Sequence, residues 1–376
     1  MFVLYFYKFI SAIKKINKKY LFLFGLILLS LIVGIIGSKN SFAGVYGIIK
    51  FLEFSFLVFF VANNFRGFNK RILFFLFLTG IIFESLLSFF QYLNQGSIGG
   101  ILYFLGERTF NAQTPGIANA SINGQLFLRP YATFSHPNVL AAFLVIAMLY
   151  LFLLFKKKIK IYLLVGISLG TIALFLTLSR TAIILWIVYL IILFGIYFAK
   201  KYKNGFSNKK FLIITVAFLA LIAFSYFIFQ NSFLWQRFSL TKLSDESLIQ
   251  REQLLNQSFQ MIKASPVFGV GLNNCFNNLS FSNNQLSISL IQPVHNIFLL
   301  IFAETGVVGF CFFMLLFYKV IIRVLFNSFK KERIYLIFLI LAIIFLGFFD
   351  HYFLTIQQGQ ILFAIIMGTV LSYKKS

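Results

Sequence analysis

The chain has 376 residues, of which 60% are hydrophobic, 20% aromatic and only 11% charged, and its 55 Phe outnumber the 33 Lys plus Arg. Soluble domains use about half apolar and about a quarter charged residues, so a soluble enzyme, a nucleic-acid module and a secreted disulfide scaffold are excluded; a mean hydropathy of +0.92 agrees. The net charge of +24 would ordinarily point to nucleic acid, but the placement of the charges gives it another meaning.

The first twenty residues mix aromatic side chains with Lys8, Lys14, Lys15, Lys18 and Lys19. They lack a small-residue cleavage site ahead of a long apolar run, which predicts a cytoplasmic segment along the membrane interface rather than a cleaved signal. A span needs roughly 20 mostly apolar residues. Runs that qualify lie near 21–37, 42–61, 72–91, 138–155, 161–178, 181–199, 211–229, 295–322, 334–349 and 352–371. They predict an all-α, polytopic membrane helix bundle of about ten spans. With the N-terminus inside, the cytoplasmic segments hold 23 basic residues and the external ones eight, while Lys50 and Lys319 lie within spans. That bias obeys the positive-inside rule and puts both termini in the cytoplasm. The basic charge is thus mainly a topology device.

Two external loops, 92–137 and 230–294, are long and carry most of the polar residues. Loops beyond about 12–15 residues are usually functional or disordered. In the second loop Leu248, Leu255, Phe259 and Ile262 recur at near-helical spacing, predicting an amphipathic helix over 247–263 on the outer membrane surface, stopped by Pro266. Motif content divides the chain into N-terminal membrane helices with the first external loop (1–128) and a membrane domain (129–376). Cys275 and Cys311 are too few for a disulfide framework. No segment reads as a nucleotide-binding loop, a zinc cluster or a haem motif.

Ionisable groups at membrane depth are rare and informative. Arg129 follows a Gly/Asn/Ser-rich stretch and either anchors the interface or holds a headgroup. His136, His295 and His351 each fall at the external end of a predicted span, in TFSHPN, PVHN and DHY. Histidine titrates near neutrality and is a ready proton acceptor. His295 reads as a general base at the mouth of an external cavity, or as a helix-start histidine bonded to a loop carbonyl. Arg180 occupies the very short link between the fifth and sixth spans, as an interface anchor or as a phosphate clamp suited to its fork of donors. Arg251 in the loop helix has the same two readings. Glu304, with Thr305, Gly306 and Gly309, reads as close helix packing. His351, Thr355, Gln358 and Leu362 follow i, i+4, i+7 spacing next to Asp350, placing a polar stripe toward the bundle interior. The external side has no close pair of carboxylates beyond Asp245 and Glu246. An enzyme built this way is expected to use no divalent metal or other cofactor, with arginines stabilising a leaving phosphate instead.

Five segments resemble one known family: RPYATFSHPNVLA (129–141), LTLSRTAIIL (176–185), PVFGVGLNN (266–274), HNIFLLIFAETGVVG (295–309) and DHYFLTIQQGQ (350–360). In this order they look like the motifs of the O-antigen ligase and polymerase superfamily. The resemblance implies a GT-C-like bundle in the bacterial inner membrane, taking a glycan from undecaprenyl diphosphate on the external face. It implies His295 as the base that activates an acceptor hydroxyl, and Arg180 and Arg251 as diphosphate ligands. Asp350 is a weaker counterpart. Where the family often shows an aromatic a few residues after the loop arginine, this chain has Leu254 or Leu255. Partners implied are the lipid-linked glycan and an acceptor such as lipid A–core, another lipid-linked glycan or protein. The long loop with its HN motif leans to the ligase; polymerase and protein O-oligosaccharyltransferase stay open. A lipid-linked glycan flippase would instead need polar or broken helices at the bilayer midplane, whereas here polar residues gather at the external mouth.

Overall fold

The computed structural model describes residues 18–122, 125–155, 160–203, 246–279, 292–327 and 330–373. The protein is mostly helical. Its elements run α1 (Lys18–Ile36), α2 (Ser41–Asn64), α3 (Lys70–Asn94), a short α4 (Ile101–Phe104), β1 (Asn119–Ile122), β2 (Gln125–Leu128) and α5 (Pro137–Leu154). They continue through α6 (Lys160–Leu176), α7 (Arg180–Lys203), α8 (Glu246–Ala264), α9 (Ile297–Asn327), α10 (Lys330–Phe349), α11 (Tyr352–Thr355) and α12 (Gln357–Ser372).

Among the described residues six helices are long and apolar enough to cross a membrane: Ser41–Gly67, Lys70–Asn94, Pro137–Leu154, Arg180–Ala199, Ile297–Phe326 and Glu332–Phe349. Two shorter apolar helices, Phe22–Ile36 and Lys160–Leu176, fall where spans were also expected. The expected span at 211–229 lies outside the described residues. The one expected over 352–371 is not a single helix. Ile356 is extended (φ −105°, ψ 125°) and separates α11 from α12. A stripe counted at helical spacing across 351–362 therefore does not form on one continuous helix.

The chain divides into two compact units, Met1–Phe56 with Gln250–Val320 and Leu57–Ile249 with Ile321–Ser376. In the larger unit α5 is the central helix. It is hydrophobic on every face, as a helix must be when neighbours surround it, and Leu140, Leu144, Ile146, Leu149 and Leu151 are fully buried. Against it pack α3, α6 and α10. The approach of α6 is set by Gly166 and Gly170, one turn apart. A Cβ on Gly166 would stand 2.7 Å from side-chain carbons of both Leu78 and Leu151, and one on Gly170 2.8 Å from Met148 Sδ. Such small-residue spacing lets membrane helices come close where no hydrophobic effect drives them together. Stacked aromatic rings add to this, Phe77 on Tyr150 and Tyr189 on Phe338 at 4.4 Å each.

In the smaller unit α8 spans nearly the expected amphipathic stretch. Leu254, Ser258 and Met261 are buried, whereas Leu255 and Phe259 are 37% and 44% exposed. Two apolar stripes share this helix, and Leu255 and Phe259 of the expected one face away from the protein. An outward Leu and Phe fit a helix that lies on a membrane surface.

Candidate functional site

Four of the residues singled out from the sequence meet in the larger unit. They meet where the segment after β2 reaches the start of α5. Arg129 is buried; its Nε donates to the Thr177 carbonyl at 2.8 Å and its Nη2 to Asn138 Oδ1 at 2.7 Å. Asn138 Nδ2 donates in turn to Asp350 Oδ2 at 2.9 Å, and Asp350 Oδ1 accepts from the His351 N–H at 2.8 Å. One amide thus couples a buried cation to a buried anion, and each charge has a directed partner where water is scarce. His136 caps α5, its Nδ1 accepting from the Asn138 N–H at 3.1 Å. His351 Nδ1 lies 2.6 Å from Thr355 Oγ1. The junction ties together the ends of β2, α6 and α10 and the first turn of α5.

The backbone between Arg129 and Pro137 is irregular, and three side chains hold it. Gln91 Oε1 accepts from the N–H groups of Tyr131 (3.0 Å) and Ala132 (2.7 Å), while its Nε2 donates to the Ala132 carbonyl and to Glu107. Glu84 accepts from both the N–H and the hydroxyl of Thr133. Gln358 Oε1 accepts from the Ser135 N–H, and its Nε2 donates to the Thr133 carbonyl, each at 3.0 Å. Ala132 has φ 49°, a left-handed conformation that a side chain tolerates only under such constraint. Glu84 and Gln91 sit seven residues apart on one face of α3, and both are buried. Sequence reading missed Gln91 and Asn138. The signal available for Gln91 was its spacing from Glu84 inside an apolar run.

The Gln91→Leu variant keeps the side-chain volume and removes every one of these bonds. It leaves the Tyr131 and Ala132 N–H groups without their acceptor, at about 1–3 kcal/mol for each orphaned group, and takes one of three donors from the buried Glu107 carboxylate. A markedly lower thermal midpoint in detergent is expected, together with faster proteolytic cleavage between residues 95 and 136. Unchanged stability and cleavage would mean that Gln91 does not hold the loop.

Arg180 is the first residue of α7 and is half-buried. The link before it is only three residues long. Leu178 turns the chain with φ 52°, and Thr177 Oγ1 accepts from the Ser179 N–H. A cation at a helix N-terminus opposes the helix dipole, so Arg180 sits where an anion is favoured and a positive charge is not. A bound anion would relieve that conflict and draw on backbone N–H groups and guanidinium together.

His295 and Arg251 belong to the smaller unit. Asn296, not His295, caps α9: its Oδ1 accepts from the N–H groups of Phe298 (2.9 Å) and Leu299 (3.0 Å). Pro293 and Val294 are buried ahead of it, and His295 is half-buried between them and the cap. Arg251 lies in the first turns of α8, half-buried beside exposed Glu252 and Gln253.

The grouping of Glu304, Thr305 and Gly306, expected to serve helix packing, instead marks a break in α9. Gly306 has φ 62° and ψ −168° inside the helix. The 266–271 segment lies along this break and supplies its hydrogen bonds. Val307 N–H donates to the Pro266 carbonyl, Val270 N–H to the Ala303 carbonyl and Gly271 N–H to the Glu304 carbonyl, at 2.9, 2.9 and 3.0 Å. Glu304 Oε1 also accepts from the Cys275 N–H at 3.3 Å. Broken helices are tolerated at membrane depth only where other protein groups satisfy the freed backbone, and the PVFGVGLNN sequence does so here. Its Asn274 pairs with Asn40 in both directions at 3.0 Å, fastening it to the link between α1 and α2. Cys275 is buried beside Met261, and burial pushes its thiol up to about 12. That thiol stays protonated and inert at physiological pH.

Residues 165–316 match the family model described as O-antigen ligase. The match covers the Arg180, 266–274 and His295 motifs and supports the O-antigen ligase and polymerase superfamily. With the apolar helices, it supports a multi-pass membrane protein of O-antigen-type polysaccharide biosynthesis. No curated protein matches the chain.

Proposed function

From the O-antigen ligase match over residues 165–316, we propose that this protein transfers a glycan from undecaprenyl diphosphate to an acceptor hydroxyl on the external face of the bacterial inner membrane. His295 is the base. As the acceptor oxygen bonds to the anomeric carbon, the bond from that carbon to the diphosphate oxygen breaks and His295 takes the acceptor proton. Arg180 and Arg251 hold the diphosphate and stabilise it as it leaves, in the role a divalent cation plays elsewhere. Arg129 serves the same end, and its bonds to Thr177 and Asn138 also hold fixed the loop that carries it. Asp350, His136 and His351 support that framework. Both termini are cytoplasmic, and the ligase-type acceptor, lipid A–core, is the one we favour. The observation that carries this reading is the family match across the motifs containing Arg180 and His295.

The test is a transfer assay with purified protein, an undecaprenyl-diphosphate glycan and three acceptors: lipid A–core, a lipid-linked glycan and a protein. Each is run with and without EDTA. Wild type is expected to glycosylate lipid A–core and to be indifferent to EDTA. Use of either other acceptor assigns the polymerase or the protein transferase instead. Arg180→Ala is expected to lose about 10²–10³ in turnover, the usual cost of removing one group that stabilises a developing charge. Arg180→Lys, which keeps the charge and loses the fork, should recover only part of it. EDTA-sensitive transfer, or Arg180→Ala with full activity, would overturn the assignment.

A further inference from the structure

Beside the junction described above, the first external loop encloses a cleft of ≈ 260 Å³ that the proposed transfer chemistry does not use. We propose that this cleft binds one acidic monosaccharide unit, a sugar ring carrying a carboxylate, from the donor or acceptor glycan. Its floor is Tyr131, a buried ring whose hydroxyl accepts from the Ala118 N–H at 2.7 Å, so the ring is fixed in place. The Arg108 guanidinium lies over that ring, 5.1 Å from its centroid, and its Nη2 donates to the Ser135 carbonyl at 2.7 Å. The His136 ring meets the same tyrosine edge-on at 6.0 Å. Phe110 on one side, and the turn from Thr114 to Ile117 on the other, complete the lining.

The charge balance points to an anion. Arg108 forms no ion pair among the described residues. The carboxylate next to it in sequence, Glu107, is buried and already accepts from Gln91 and from the N–H groups of Ile98 and Gly99. A guanidinium braced on an aromatic ring and a carbonyl keeps a rigid set of donors for one incoming group, and its planar fork matches a carboxylate. Cation–π contact with Tyr131 holds that plane without neutralising it.

Size and lining point to a sugar ring. The volume falls just below the ~300–1,000 Å³ of clefts that take drug-sized ligands, so there is room for one ring and not for an oligosaccharide. A bare inorganic anion would leave most of the space empty. Phe110, Pro115 and Ile117 offer apolar surface to the C–H face of a pyranose, and the hydroxyl of Thr109 offers a partner to its rim. That the ligand is a saccharide rests on the glycan-transfer reading; that the cleft takes an anion does not.

The experiment is saturation-transfer difference NMR on the purified full chain in detergent micelles, with glucuronate, glucose and inorganic phosphate as probes. Glucuronate ring protons should receive saturation from the wild type, and glucose protons far less. Arg108→Ala should weaken glucuronate binding about tenfold or more, the loss expected for a charge-assisted bidentate contact. Lys263→Ala, which removes one exposed positive charge elsewhere, should leave binding unchanged. Thr109→Trp fills the cleft without altering charge and should also abolish the signal; matching thermal midpoints certify that both cleft variants are folded. Equal signals for glucuronate and glucose, or binding that survives either cleft variant, would overturn the proposal. So would phosphate competing while no sugar proton receives saturation, which describes an anion site without a sugar. Intact transfer with no glucuronate binding removes this inference alone. Glucuronate binding in a protein without transfer activity upholds the cleft and removes the transferase reading.

Discussion

His295→Ala is expected to cut glycan transfer by about 10²–10⁴, the usual contribution of a positioned general base, while leaving the thermal midpoint nearly unchanged. The structure gives a reason to expect these two effects to separate. The hydrogen bonds that start α9 come from Asn296, whose side chain satisfies the Phe298 and Leu299 N–H groups, and His295 stands one residue before that cap. It is half-buried, whereas Pro293, Val294 and Ile297 around it are buried and hold the backbone. Removing the imidazole should therefore cost chemistry while leaving the α9 cap in place. Asn296→Ala supplies the opposite pattern, a loss of about 1 kcal/mol in stability for a missing cap. Initial rates at saturating donor, set beside melting curves in the same detergent, distinguish the two. A His295→Ala protein that transfers at the wild-type rate would exclude this residue as the base. One that is inactive and also unstable would make its role structural.

Gly306→Ala is expected to have the largest effect on folding. At φ 62° and ψ −168° the backbone occupies a region that is essentially restricted to glycine. Space is also lacking: a Cβ there would lie 2.2 Å from the Val267 carbonyl oxygen and 2.6 Å from the Gly269 nitrogen. Both obstacles are backbone and cannot rotate away. Gly269 (φ 73°) faces the converse problem, because its Cβ would lie 2.4 Å from the Glu304 carbonyl carbon. The break in α9 and the 266–271 segment fit each other only as a pair of glycines. Relieving the clash means separating them, which strips Val307, Val270 and Gly271 of their hydrogen-bond partners at about 1–3 kcal/mol per orphaned group. We expect the variant to run as an aggregate on size exclusion, or to melt far below wild type. Gly25→Ala is the matched control, since a Cβ on Gly25 of α1 meets nothing within 4 Å. A Gly306→Ala protein as stable as Gly25→Ala would mean that α9 can run straight without cost.

The same pair shows how far residue spacing can mislead. On an unbroken helix Thr305, Gly306 and Gly309 describe a small-residue face, and helix packing is the natural inference. The break becomes visible only once the 266–271 segment is laid along α9, some thirty-five residues away in sequence. Amphipathicity gave only one of two faces at α8. Leu248, Leu255, Phe259 and Ile262 made the expected stripe, yet Leu254 and Met261 are the buried residues. A helix with a lipid-facing side as well as a protein-facing one has two apolar stripes, and periodicity alone does not rank them.

What the sequence determined by itself is the class of protein, the position of most of its described long helices and the motifs within residues 165–316 that match the family model. Each of these is local. An apolar run of sufficient length becomes a helix in lipid whatever its neighbours, because its backbone groups can be satisfied only within the segment, and a motif is read residue by residue. What only the tertiary structure decided is where the scarce polar groups go. Arg129 with Asn138 and Asp350, Gln91 beneath Ala132, and Gln358 bracketing Thr133 and Ser135 join residues from 9 to 225 positions apart. In an interior with little water each such group must find a specific partner, and which partner it finds depends on how the helices pack rather than on any spacing along the chain.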